Sequence, residues 1–185
     1  MLVGEASDWS VGQMCLTVPV PVLEEWVVAR TAHYDRSSLS AEPHFAHAHL
    51  TVLAPWVPAP TPSDLAAVDV VLAQVPAFEV ELARVATFPD GLVHAVPEPD
   101  HGLRSLTRRL VAAFPDYPPY GGRYDATGGP VPHVTLDRLG PGVTEEWVRA
   151  EVGHLLPARL VVDRVDLQWW GNDTCRRVHS WRLGA

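Results

Sequence analysis

Two short stretches hold most of the reactive chemistry in this chain: HLTVLAPW, beginning at His49, and PHVTLDRL, in which His133 follows Pro132. Each reads His-x-Thr and then an apolar residue. On a β-strand, side chains two positions apart share a face. His49 and Thr51 therefore project together, as do His133 and Thr135, while Leu50, Val52, Val134 and Leu136 point the other way, into a core. An imidazole titrates at about 6.5, which suits it to give or take a proton near neutral pH. Two imidazoles facing one cavity would make an acid/base pair for cleaving a phosphodiester. The two hydroxyls and nearby backbone N–H groups would hold the non-bridging phosphate oxygens. This chemistry needs no metal.

The first stretch also carries His44 and His47. Extending the alternation puts His47 on the face of His49, at the rim of the groove, and His44 on the opposite face as an exposed or turn residue. His47-Ala48-His49 is thus also a metal-type pair on a strand. Zinc would need a third ligand and an open position, and His133, His94 or His179 could supply the third. That reading leaves the two threonines unexplained. Of Trp169 and Trp170, adjacent and so facing opposite ways, at most one can meet a ligand; packing in a hairpin is the alternative for both.

The elements that must position these residues follow from periodicity and punctuation. Residues 14–19 read as a strand and 21–34 as a helix, with Leu23, Trp26, Val27 and Arg30 at helical spacing. Thr61, Pro62 and Asp64 are a cap, a first-turn proline and an N3 acid, predicting a helix over 62–74. Residues 78–88 alternate like a half-buried strand, turn at Pro89-Asp90-Gly91, and return through LVHAV as a hairpin. Leu103, Leu106 and Leu110 mark an amphipathic helix over 101–114. Residues 115–130 form a long Pro- and Gly-rich loop whose Tyr117, Tyr120, Tyr124 and Arg123 could lie against a ligand. A strand over 131–139, a helix capped by Thr144, and two strands (158–170 and 174–183) around Gly171-Asn172-Asp173 complete the chain. Strands and helices without strict alternation favour an α+β fold with a mainly antiparallel sheet.

Bulk composition narrows the function. All fourteen cationic side chains are arginine. With no lysine, a lysyl-nucleotide intermediate, a Schiff base and a P-loop phosphate lysine are excluded. A net charge of −8 argues against a broad footprint on long nucleic acid. Cys15 and Cys175 form neither a disulfide framework nor a zinc knuckle. At 47% hydrophobic and 19% charged, the 185 residues are globular and fit one domain. No apolar run suits a bilayer, the N-terminal residues lack signal-peptide character, and a cytoplasmic location is expected.

The paired motifs, Pro132 before the second histidine, the intervening FEVELARVATFPDGLVHAVPEPDHGLRSLTRRL and the closing VDRVDLQWWGNDTCRRVHSWRL together resemble the 2H phosphoesterase superfamily, the group of 2'-5' RNA ligase-like proteins and cyclic phosphodiesterases. The likeness covers most of the chain. It implies a bilobal, LigT-like α+β fold: two mainly antiparallel sheets in pseudo-twofold arrangement, helices outside, and a central groove. Residues 1–185 would be a single domain of two interleaved lobes, each contributing one His-x-Thr strand. It implies metal-independent action on 2',3'-cyclic or 2'-5'-linked phosphodiesters, without cofactor. His49 and His133 would be the acid/base pair, in either order, and Thr51 and Thr135 the phosphate ligands. Tyr120, Arg123, Trp56 and Arg138 are the candidate substrate contacts. With few basic residues near the motifs, a small nucleotide or cyclic phosphate is the expected substrate, short RNA the larger alternative, and a monomer without membrane association the expected state. A metal-dependent hydrolase on His47 and His49, and a non-catalytic nucleotide-binding module, are the competing readings.

Overall fold

The computed structural model describes residues 12–124 and 129–185. In chain order the elements are β1 (Gln13–Pro19), α1 (Glu24–Tyr34), β2 (His49–Trp56), α2 (Pro62–Ala73), β3 (Phe78–Thr87), β4 (Leu92–Glu98), α3 (His101–Ala113), β5 (Val134–Arg138), α4 (Glu145–Val152), β6 (Ala158–Val162), β7 (Arg164–Trp170) and β8 (Arg176–Arg182), with a short 3-10 turn at Pro119–Gly122. The helix caps are those the sequence signals. Thr61 and Asp64 close a reciprocal capping box on α2, and Thr144 accepts from the Trp147 N–H at the start of α4.

Every recorded strand pair is antiparallel, and the eight strands form one hydrogen-bonded sheet in the order β6-β3-β4-β5-β2-β1-β7-β8. The expectation of two separate sheets is thereby corrected. The two four-stranded halves meet at a narrow seam, where β2 and β5 pair at Leu50↔Val134. The expected strand over 158–170 is also divided. Its first part, β6, pairs with β3, and its second, β7, pairs with β1. One residue, Asp163, separates two strands that stand near opposite ends of the sheet order, so the sheet is strongly curled rather than flat. Asp163 is fixed there by the Leu183 N–H donating to its carbonyl and by Arg182 on its carboxylate at 2.7 Å.

One face of the sheet carries the main core. Leu50, Val52, Val134, Leu136, Val93 and Ala95 are buried together with Leu103, Leu106 and Leu110 of α3. That helix lies on β2, while α1 lies on β5, α4 on β3 and α2 against α3 and β8. The ends of α1 and β5 are locked by a buried ion pair: Asp137 has no solvent exposure and takes Arg30 Nε at 2.6 Å and the Tyr34 hydroxyl at 2.6 Å. A second, smaller cluster of Cys15, Phe45, Ala54, Trp170 and Cys175 forms away from it. Among the described residues no helix is long and apolar enough to cross a membrane.

Candidate active site

Antiparallel pairing at Leu50↔Val134 sets the register of the seam. One step to either side, His49 stands across from Thr135 and Thr51 across from His133, and all four project from the face opposite Leu50 and Val134. The burial pattern agrees: Leu50, Val52, Val134 and Leu136 are buried, whereas His49, Thr51, His133 and Thr135 are partly open. The two histidines are diagonal neighbours, a relation that in regular pairing separates residues by about 7–8 Å, their Cβ atoms by somewhat less. A phosphate group fits in such a gap.

Both imidazoles are held the same way. His49 Nδ1 lies 2.7 Å from the carbonyl oxygen of His47, and His133 Nδ1 lies 2.8 Å from that of Val131. A carbonyl only accepts, so Nδ1 carries the proton and Nε2 presents a lone pair to the groove. Aromatic rings brace each imidazole. Trp170 lies 5.2 Å from His49, and Phe88 lies edge-on to His133 at 5.0 Å. Burial pushes both pKa values down, to about 4, and His133 further opposes protonation of His49. Both imidazoles are therefore neutral at neutral pH.

His47 is not at the rim. It precedes the first residue of β2, so strand alternation does not govern it, and its ring is buried. Its Nδ1 donates to Glu24 at 2.8 Å, and its Nε2 accepts the Ser40 N–H at 3.1 Å. With both nitrogens engaged, His47 offers no lone pair to a metal, and the His47/His49 metal reading loses its second ligand. Its carbonyl instead orients His49. Glu24, in the first turn of α1, takes the N–H groups of His47 and Ala48 at 3.0 and 2.8 Å as well as the ring. Burial works to raise the Glu24 pKa, but these hydrogen bonds outweigh it and the net shift is downward. His44 is an exposed turn residue. Among the described residues, no three His, Cys, Asp or Glu side chains gather as a metal site.

The four expected substrate contacts divide. Tyr120 reaches the site: its hydroxyl meets the Thr51 side chain, and burial pushes its pKa up to about 12. Its backbone sits in the left-handed region, φ 51°, a conformation uncommon outside glycine that is held here by the 119–122 turn. Arg123 follows on the same loop, exposed; positions 125–128 of that loop lie outside the described residues. Trp56 is in the core, 1% exposed and edge-on to Phe114 at 5.2 Å. It stands an even number of residues from Leu50 and Val52, so strand alternation puts it on their buried face. Arg138 is committed to the β3–β4 turn, its Nη1 donating to the Asp90 carbonyl at 2.7 Å. Of the tryptophan pair, Trp170 is buried behind His49, and Trp169 donates to Thr174 within the hairpin.

The sequence model of the 2'-5' RNA ligase superfamily matches residues 18–174, a span that includes both His-x-Thr strands and everything between them. The chain belongs to the 2'-5' RNA ligase superfamily, within the 2H phosphoesterases. Solved structures similar in fold include a phosphoesterase (15% identity, TM-score 0.54, covering 93% of this chain and 98% of the other). E. coli LigT complexed with 3'-AMP is similar at 16% identity and TM-score 0.53, with 93% and 98% covered. TT0787 of Thermus thermophilus is similar at 17% identity and TM-score 0.53, with 94% and 98% covered. No functionally curated protein matches the sequence. Family membership marks the chain as an enzyme of the phosphodiesterase and RNA ligase-like kind.

Proposed function

We propose that the protein hydrolyses 2',3'-cyclic or 2'-5'-linked phosphodiesters of a small nucleotide-like substrate, without metal, using His49 and His133 as acid and base. The observation that carries this reading is the Leu50↔Val134 register, which sets each histidine across from the other strand's threonine on one open face. A phosphodiester anion bound between the rings places a negative charge beside both of them. That charge favours protonation of one imidazole while the other stays neutral. The neutral Nε2 takes a proton from the attacking water, and the protonated Nε2 gives one to the leaving ribose oxygen. A P–O bond to water forms as the P–O bond to the sugar breaks, leaving a phosphomonoester. Thr51 and Thr135 hold the non-bridging oxygens, where negative charge builds up.

The nucleotide class is supported by composition and by likeness. A net charge of −8 disfavours long RNA; Tyr120 offers a ring beside Thr51, and Arg123, three residues on, is an exposed cation. E. coli LigT, of the same fold, has been crystallised with 3'-AMP, NADP+, ATP and phosphate. Cytoplasmic location and a monomeric state go with this reading. Turnover of a 2',3'-cyclic nucleotide in the presence of EDTA tests it. His49→Ala and His133→Ala should each lower kcat/KM at least about 100-fold at an unchanged melting temperature. Full activity in either variant, or loss of wild-type activity on chelation, contradicts the reading.

A further inference from the structure

A third histidine shares the groove face. His94 of β4 stands directly across from Thr135 in the β4–β5 ladder, while its neighbours Val93 and Ala95 are in the main core. It is 3% exposed, lies flat on Phe88 at 3.8 Å with a 14° interplanar angle, and its ring centre is 5.6 Å from that of His133. Its Nδ1 faces the carbonyl of Leu92 at 3.3 Å, the same i−2 arrangement as in His49 and His133. Burial lowers its pKa, so the ring is neutral and Nε2 is an acceptor. No protein donor meets that nitrogen among the described residues, and it is not sealed from solvent. A neutral imidazole with an open acceptor is of no use to a phosphate oxygen. It suits an O–H group.

We propose that His94 orients the attacking water: the water gives one proton to His133 Nε2 and donates its second O–H to His94 Nε2. This rests on the two-histidine reading above and sharpens it by making His133 the base and His49 the acid. Two acceptors sharing one water lie about 4.5–5 Å apart, at ordinary hydrogen-bond lengths, which the 5.6 Å ring separation accommodates. A leaving alcohol has no second proton to donate, so the paired acceptors fit the attacking side and not the leaving side.

The test compares His94→Phe, His94→Asn and His94→Gln on a 2',3'-cyclic nucleotide, with melting temperature and affinity for the nucleotide monoester product measured alongside. Phe keeps the stack on Phe88 and removes the acceptor; Asn cannot reach the Nε2 position; Gln can. The expected result is a kcat lowered roughly 10- to 100-fold in Phe and Asn, partial recovery in Gln, and KM and product affinity nearly unchanged. Wild-type kcat in a folded Phe or Asn variant would overturn the proposal. So would equal losses in all three, or a loss confined to KM and product affinity. His133→Ala separates the two levels: if it is inactive while His94→Phe is fully active, only the role of His94 falls, and if it is fully active, the two-histidine reading falls with it.

Discussion

The depressed pKa values of His49 and His133 have a consequence for stability that needs no substrate. Each imidazole titrates near 6.5 when unfolded and at about 4 in the folded groove. Between those values the unfolded chain binds more protons than the folded one, so stability falls as pH drops through this window and is unaffected above it. At about pH 4.5 the full shift would remove about 2.5 kcal/mol per histidine. The rings line an open groove, and solvent screening reduces this to about half. Replacing both, as in His49→Asn with His133→Asn, abolishes the penalty. The double variant should therefore gain about 2–3 kcal/mol on the wild type between about pH 7.5 and pH 4.5. Urea denaturation across that range measures the gap, and the carboxylates, present in both proteins, cancel in the difference. A gap that does not change with pH would refute the claim that the groove holds both rings neutral. Phosphate added near pH 5.5 should narrow the gap, because an anion between the rings favours their protonation.

Three further outcomes follow from the same contacts. Glu24→Ala deletes the acceptor of three hydrogen bonds beneath His47; it should cost about 2–4 kcal/mol and also lower kcat, and an unchanged kcat in the folded variant would show that His49 needs no such support. Trp56→Ala should cost about 3–5 kcal/mol of stability in urea melts with KM unchanged, the opposite of what a substrate contact would give. Thr51→Ala and Thr135→Ala should each lower kcat about 10- to 100-fold on a cyclic nucleotide, and a wild-type rate in either would remove that hydroxyl from the phosphate site.

Local pattern carried much of this architecture in the sequence, and register carried what was missed. Alternation around His49 and His133 correctly separated groove from core, because Leu50, Val52, Val134 and Leu136 commit one face to burial. The same rule failed just before the strand. At His47 it was applied to residues that precede the strand, whereas Trp56, six residues on from Leu50, lies on the core face as alternation requires. Arg138 pairs opposite Leu92, beside the β3–β4 turn, and its guanidinium donates to the Asp90 carbonyl there, a contact with no signal in the sequence. The seam between the halves rests on one pair far apart in sequence, which left two sheets as the natural expectation. Nothing in EEW signals that the Glu24 carboxylate reaches the 47–48 backbone. His94 had no motif at all; only the ladder partner Thr135 brings it to the groove.

Two imidazoles converging on one phosphorus can be observed directly in a crystal structure with a 2'- or 3'-nucleotide monoester soaked into the groove. Two-histidine catalysis predicts His49 Nε2 and His133 Nε2 each within hydrogen-bond reach, about 2.6–3.2 Å, of different oxygens on the same phosphate, with the hydroxyls of Thr51 and Thr135 on the remaining ones. A phosphate held by only one of the two imidazoles, or bound elsewhere on the sheet, would contradict it.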